Sequence, residues 1–563
     1  MDFSQMSKKE LIDYINNLNE QNNGKYGLVW DKEKEPEKIV VECDKKIPIL
    51  KEIKKKAINN GGQNNILIEG DNFHALSVLN YTHKESIDVI YIDPPYNTGK
   101  KDFIYNDKYI DEDDGYRHSK WLNFMDKRLK LARNLLSEDG IIFISIDDNE
   151  LSQLKLMCDR IFGSQNLISC MPRKTTEHIR VTAKYEMQNL NDYVLVYALD
   201  KMNYELNKKC LGEKEYKYQD AFGKYLLKPF QNSGEAGTRE ARPNLYYPIY
   251  YDEKTEELYL DKHKGCLEIL PKKVKSKDGR WLWSREKFLK DKKLLEYKNG
   301  TLYRKEYQNG KDDNNKYESE KNWLDSFPNR LGANALKKIG LEELFTYSKP
   351  PELIMWLINL CKNKDAIVLD FFAGSGTTGQ AVLELNAEDG GNRKFILCTN
   401  NENNICEDVT YPRIKTVITG KREDKSKYSD GLKGSLQYFK TDFVDNVGTK
   451  DQLYYDLTEK CIPMLCVKGD TFIPYKSTEE YAIYTNDNKS MYSCVYFDVL
   501  GQKYKEFLKE VKKIKEPKLL YIFNLGDYID LSDLKEIDNY SVESIPYKII
   551  ELYKKIVKMS KGE

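Results

Sequence analysis

Ile87-Asp88-Val89-Ile90-Tyr91-Ile92-Asp93-Pro94-Pro95-Tyr96-Asn97-Thr98-Gly99 is the stretch on which the reading of this chain turns. Residues 87–92 are bulky, mostly β-branched or aromatic side chains broken by one acid, the pattern of a strand buried on both faces of an α/β sheet. Pro94 and Pro95 cannot donate to a ladder, so the strand stops there and delivers Asp93 and Tyr96 to its carboxyl end. Ligands of open α/β sheets bind at that edge. A carboxylate and a backbone carbonyl can both accept hydrogen bonds from one amino group, and a tyrosine ring can stack on the heterocycle that bears it. Asp93, Pro94, Pro95 and Tyr96 are therefore candidate catalytic residues around an amino-bearing nucleobase, although the four letters alone read equally well as a turn that ends a strand.

Working outward, residues 65–71 read as a short buried strand and 72–79 as the helix after it. Together with 87–92 they predict a right-handed βαβ unit in which Asp71 ends a strand beside that of Asp93. Downstream, apolar residues at helical spacing predict a helix over 120–136, then a strand over 141–146, a helix from Asp147 to Ile161 with Gly163 beyond its end, and a strand over 192–199. Upstream, Ser7-Lys8-Lys9-Glu10 has the capping-box pattern ahead of an amphipathic helix, and the lysine-rich stretch 44–56 reads as a solvated face.

From about 200 to 335 aromatic and basic residues interleave with loops. Arg239, Arg242, Lys272, Lys273, Arg280 and Trp281 are candidate contacts to nucleic acid there, though an ordinary tyrosine-rich insert has the same look. Alternation then resumes, with a helix over 353–361, a strand over 366–369, a helix over 380–385 and a strand over 394–398 that ends at Asn400-Asn401-Glu402. Three strand-like runs and a helix over 546–558 predict a small α/β module at the end of the chain.

A length of 563 residues provides for several domains. The 90 basic and 90 acidic side chains cancel, so any polyanion-binding surface is local. The eleven cysteines include no Cys-x-x-Cys pair and there are five histidines, which argues against a metal site. No run is long and apolar enough to span a bilayer or to serve as a signal peptide, and the expectation is a cytoplasmic protein with reduced thiols and no membrane partner.

The second informative stretch is Asp370-Phe371-Phe372-Ala373-Gly374-Ser375-Gly376-Thr377-Thr378-Gly379. Strand, glycine-rich turn and helix form a cofactor-binding unit, because glycine lets backbone amides approach a ligand at a helix start. Gly374-x-Gly376-x-x-Gly379 formally matches a dinucleotide fingerprint, with Glu402 near the expected distance for a ribose-binding acid. A phosphate loop would need Lys-Ser/Thr where Gln380-Ala381 stands, and Asp370 is poorly placed beside a pyrophosphate.

Asp370-x-Phe372-x-Gly374-x-Gly376-Thr377-Thr378 resembles the S-adenosylmethionine loop of amino-methylating DNA methyltransferases, and Asp93-Pro94-Pro95-Tyr96 resembles their catalytic motif. The catalytic motif comes first, by about 280 residues, as in the circularly permuted β class. The wider chain, from Gly27 through Phe439, is similar to the modification subunits of type III restriction-modification systems. The resemblance implies a Rossmann-like α/β methyltransferase fold in five parts: an arm at 1–60, the catalytic half of the core at 61–200, a target-recognition domain at 201–335, the cofactor half at 336–428, and a dimerisation or partner-docking module at 429–563. It also implies S-adenosylmethionine as cofactor, no metal, and cofactor contacts from Asp71, Lys349, Asp370, Phe372, Gly374, Gly376, Thr377 and one of Asn400, Asn401 and Glu402, with Glu402 favoured.

The implied partners are duplex DNA, a second copy of the chain, and a separate restriction subunit with helicase and nuclease functions. The implied reaction is methylation of adenine N6 in a base flipped from the duplex. Cytosine N4 would use the same socket, whereas cytosine C5 chemistry needs a nucleophilic cysteine, usually behind a proline, and no cysteine here follows one. A specificity subunit without chemistry and an RNA methyltransferase are the rivals of other classes. The chain departs from its relatives at Asn191, where they commonly carry a histidine.

Overall fold

The computed structural model describes residues 30, 36–176, 189–207, 209–210, 216–232, 235–307, 317–318, 320–446, 449–498, 501–524, 526 and 528–561. The helix expected over residues 7–18 lies outside them. The chain divides into two compact units, Met1–Asn207 with Lys321–Glu563, and Lys208–Glu320.

The first unit is built on a nine-stranded sheet. Its strands in chain order are β1 (Lys46–Glu52), β2 (Asn64–Glu69), β3 (Ile87–Ile92), β4 (Leu136–Ile146), β5 (Leu167–Lys174), β6 (Asn191–Ala198), β7 (Ile367–Asp370), β8 (Lys394–Thr399) and β9 (Ser435–Asp445). In space they run β1–β9–β2–β8–β7–β3–β4–β6–β5. The pairs from β9 to β4 are parallel, and β1, β6 and β5 attach antiparallel. Pro172 sits in β5, an edge strand, where a missing N–H costs no ladder bond.

Successive residues of a strand point to opposite faces, and β3 shows the consequence. Ile90 and Ile92 join a core with Leu76 and Leu79 of helix α1 (Asn72–Thr82), Leu129 of α2 (Arg117–Arg133) and Met157 of α3 (Leu151–Cys158). Val89 and Tyr91 join the opposite core with Leu353 of α4 (Pro351–Asn359), Ala381 of α5 (Thr377–Asp389) and Ile414 of α6 (Tyr411–Thr419). Burial on both faces is why the central strands are almost uniformly apolar.

Three expectations are corrected here. Asp71 does not end a strand beside that of Asp93: β7 and β8, from the far half of the sequence, lie between β2 and β3. The helix after Asp147 begins at Leu151, and its last turn widens to a π-type turn over Asp159–Gly163. The domain boundaries also move. β1 and β9 are sheet strands, so the core takes in part of the expected arm and of the expected terminal module, and the insert is the narrower Lys208–Glu320.

The terminal segment forms a five-stranded sheet and the helix Tyr547–Lys561. It packs on the core: Tyr553 donates to the Pro48 carbonyl at 2.6 Å, Tyr81 donates to Glu543 at 2.9 Å, and Lys394 pairs with Asp470 at 2.5 Å. The second unit has a four-stranded and a three-stranded antiparallel sheet around Phe230, Tyr247, Trp281, Trp283 and Phe288. Trp281 donates to the Tyr247 carbonyl at 2.8 Å, and Tyr247 donates to the Trp283 carbonyl at 2.9 Å. No helix among the described residues is long and apolar enough to cross a membrane.

Candidate active site

The two motif strands are neighbours. Val89 and Ile90 of β3 pair with Val368 and Leu369 of β7 in parallel, so Asp93 and Asp370 emerge side by side at carboxyl ends. Beyond them the chains part to opposite faces of the sheet, through α2 on one side and α5 on the other. The crevice between them is where such a sheet binds its ligands.

The loop after β3 is clamped from behind. Trp121, fully buried, donates to the Pro95 carbonyl at 2.7 Å. Asn97 is buried with φ of 58°, a left-handed conformation that asparagine tolerates better than most residues. Its side chain donates to Glu150 at 2.6 Å and to the Arg117 carbonyl at 3.3 Å. Burial pushes the Glu150 carboxyl up to about 8, against the opposing pull of the Asn97 hydrogen bond. His118 Nδ1 lies 2.6 Å from the same oxygen, and burial together with Arg117 holds that imidazole below its ordinary value. Both shifts favour the uncharged forms of the two groups.

In front, Lys349 Nζ reaches both Asp93 oxygens, at 2.8 and 2.9 Å, and Tyr96 Oη at 2.7 Å. Tyr96 Oη is also 3.4 Å from Asp192 Oδ2, and Arg173 grips Asp192 through two N–H groups at 2.7 and 2.5 Å. Arg173 is fully buried and also donates to the Phe327 carbonyl and Asn329. Burial, Asp93 and Asp192 all raise the Tyr96 phenol, so it stays neutral.

The glycine-rich turn is held by its own side chains. Asp370 is buried, accepting from Phe372 N at 3.0 Å and Thr378 Oγ1 at 2.5 Å; burial lifts its carboxyl to about 7 despite these bonds. Gly374 and Gly376 have φ of 47° and 78°, which is the conformational reason for glycine there. Arg413, buried and without a carboxylate at bonding distance, donates to Ser348, Ser375 and Thr377 at 3.0, 2.9 and 2.8 Å and to Gln380 at 2.8 Å. It thereby ties the segment before Lys349 to the turn.

A cavity of about 770 Å³ opens beside Asp93, lined by Asp71, Asn72, Phe124, Phe372, Gly374, Asn400 and Glu402 among others. Its size suits a nucleoside-sized ligand. Of the expected cofactor residues, Asp71, Phe372, Gly374 and Glu402 line it. The side chains of Asp370 and Thr377 turn inward and shape the loop. Gly376 caps the start of α5, and Lys349 lies in the Asp93 socket. Asn401 accepts from Cys406 N and Glu407 N, which leaves Asn400 and Glu402 facing the cavity.

Asp71 caps α1 by accepting from Phe73 N at 2.7 Å and pairs with buried Arg128 at 3.3 Å, and Arg128 also pairs with Glu37 at 2.8 Å. Arg128, Arg173, Asp192 and Arg413 escaped the sequence reading, because nothing local marks which charged residue of a mixed helix or strand the fold will bury. Among the described residues no cluster of three or more His, Cys, Asp and Glu is arranged to hold a metal.

Two of the expected nucleic-acid contacts are structural. Trp281 is buried, and Arg280, also buried, donates to the Ala236 carbonyl at 2.7 Å. Arg239, stacked on Tyr246 and paired with Asp278, is exposed, as are Arg242, Lys272 and Lys273.

Type II methyltransferase M.KpnI of Klebsiella pneumoniae is 35% identical over 67% of the chain and 88% of its own length. The EcoPI Mod subunit of Escherichia phage P1 and the EcoP15I Mod subunit of Escherichia coli, both from type III restriction-modification enzymes, are 32% and 31% identical over 61% and 60% of the chain. The chain spans 58% of the length of each of these Mod subunits. Among solved structures, the M1.HpyAVI–SAM complex overlaps 62% of the chain and 98% of its own, at 13% identity and a TM-score of 0.28. Residues 87–410 match the family N6_N4_Mtase, described as DNA methylase, and by that match over more than half its length the chain belongs to the DNA methylase family.

Proposed function

We propose that the protein transfers a methyl group from S-adenosylmethionine to N6 of adenine in duplex DNA, as the modification subunit of a type III restriction-modification system in the cytoplasm. The observation that carries this reading is the adjacency of β3 and β7, which sets the Asp93–Tyr96 socket beside the Asp370–Gly379 turn and the cavity. Acidic Asp71 and Glu402, aromatic Phe124 and Phe372 and the backbone at Gly374 suit a cationic nucleoside, and these residues would hold S-adenosylmethionine. Bound there, it supplies an electrophilic methyl group on a cationic sulphur.

The adenine N6 lone pair is delocalised into the ring. Asp93 and the Pro94 carbonyl accept the amino hydrogens and favour a pyramidal nitrogen, and the Asp93 carboxylate takes up the proton that the methylated amine sheds. Tyr96, neutral and held by Asp192, stacks on the base, whose removal from the helix this socket requires. In this reading the unit Lys208–Glu320 recognises the target through exposed Arg239, Arg242, Lys272 and Lys273, the protein acts as a homodimer, and a restriction subunit is its partner. A stand-alone methyltransferase is the second reading, favoured by the 88% coverage of M.KpnI.

The test is incubation of the purified protein with labelled S-adenosylmethionine and unmethylated duplex DNA, single-stranded DNA or RNA, followed by digestion to nucleosides. N6-methyladenosine from duplex DNA is the expected product; N4-methylcytosine or label in RNA refutes the assignment. Asp93→Ala is expected to lower transfer at least a hundredfold, about the cost of removing one preorganised hydrogen-bonding group. Co-purification with a helicase-nuclease subunit from the host separates the type III reading from the stand-alone one.

A further inference from the structure

The three N–H donors of Lys349 are matched by three acceptors within 2.9 Å: Asp93 Oδ1, Asp93 Oδ2 and Tyr96 Oη. The ammonium also lies 4.9 Å from the centre of the Tyr96 ring, and its side chain is only 12% exposed. The lysine thus covers the acceptor that an incoming amine needs and the platform on which its ring would stack.

An ammonium is tetrahedral, cationic and rich in N–H donors. The same description fits an aromatic amino nitrogen as it is methylated, when it turns pyramidal and gains positive charge. Two such nitrogens at bonding distance from one carboxylate repel each other, and two of the three bonds of Lys349 are made to the carboxylate that the amine would use. Asp192, the other acid within 4.0 Å of Lys349, is itself held by Arg173 and offers the lysine a second place to rest.

We propose that Lys349 is an internal occupant of the amine subsite: its ammonium holds the place of the target amino group until a flipped base displaces it, which sets a threshold that raises selectivity for a base able to compete for Asp93. This rests on the reading of Asp93 as the acceptor of the target amine. A base lacking an exocyclic amine brings no amino hydrogens to Asp93 in exchange for the two bonds the lysine makes there, so the lysine discriminates between bases by the chemistry of the group presented.

The test uses the full-length protein, unmethylated plasmid DNA and labelled S-adenosylmethionine. With K349M, kcat/KM for DNA is expected to rise about tenfold through a lower KM, the size expected when one charge-assisted hydrogen bond no longer has to be broken. Methylammonium chloride should then inhibit K349M competitively with DNA, beyond the effect of sodium chloride at equal ionic strength, while leaving the unmodified protein unaffected. K349R, whose planar fork binds carboxylates through two N–H groups, should move KM the opposite way.

If K349M loses transfer and methylammonium restores it, Lys349 works in place during the reaction and the proposal is overturned. It is equally overturned if K349M keeps its KM and ignores methylammonium, or if K349R improves KM. Should K349M fail to show the cofactor-dependent rise in melting temperature of the parent, K349R carries the test alone. Near-normal transfer by D93N would instead overturn the assignment of Asp93, whatever the lysine variants do.

Discussion

Replacing Glu150 by glutamine should change how the stability of the protein depends on pH, within a narrow window. The folded Glu150 carboxyl releases its proton near pH 8 and not at the ordinary 4.5, and the folded His118 imidazole is held below its ordinary 6.5. Between pH 4.5 and 6.5 the unfolded pair carries one proton, on the imidazole, and the folded pair carries at least the one on the Glu150 carboxyl. Above pH 6.5 the unfolded imidazole loses its proton while the folded pair keeps one until about pH 8. The folded state then binds more protons, so stability falls as pH rises.

About 1.5 pH units at about 1.4 kcal/mol each give a loss of about 2 kcal/mol across that window. Glu150→Gln removes the carboxyl and leaves only the lowered imidazole, whose contribution rises with pH up to 6.5 and is level above it. Urea denaturation of both proteins from pH 5.5 to 9, at constant ionic strength and with one probe of the core, measures the difference. The parent should lose about 2 kcal/mol relative to the variant between pH 6.5 and 8. A parent-minus-variant difference that stays level across this window refutes the raised carboxyl behind Asn97.

Gly379 lies in α5, where an added Cβ would come within 2.5 Å of Ile414 Cδ1 and 3.0 Å of Leu397 Cδ1. Gly379→Ala should therefore cost about 1–3 kcal/mol despite the better helix propensity of alanine, read as a lower melting temperature. Trp281→Ala removes a buried ring from the core of the insert, and a loss of about 3–5 kcal/mol is expected; unchanged melting with weakened DNA binding would instead return Trp281 to the role of a contact.

The sequence by itself determined the two motif segments and the kind of fold that carries them. A strand buried on both faces announces itself as an apolar run, prolines end a ladder wherever they stand, and left-handed turns call for glycine; all of these are local codes, legible at Ile87–Tyr96 and Val368–Gly379. Three of the five strands of the terminal sheet and its closing helix were legible for the same reason. What only the tertiary structure decided is who sits beside whom. Apolar strands do not encode their partners, so the insertion of β7 and β8 between β2 and β3 could not be read from 64–92 alone. Nor could the burial of Arg280 and Trp281, the gripping of Asp192 by Arg173, or the placing of Lys349 on an aspartate 256 residues away. A charged side chain enters a core only where the fold supplies its partners, and those partners come from segments whose nearness exists only once the sheet has closed.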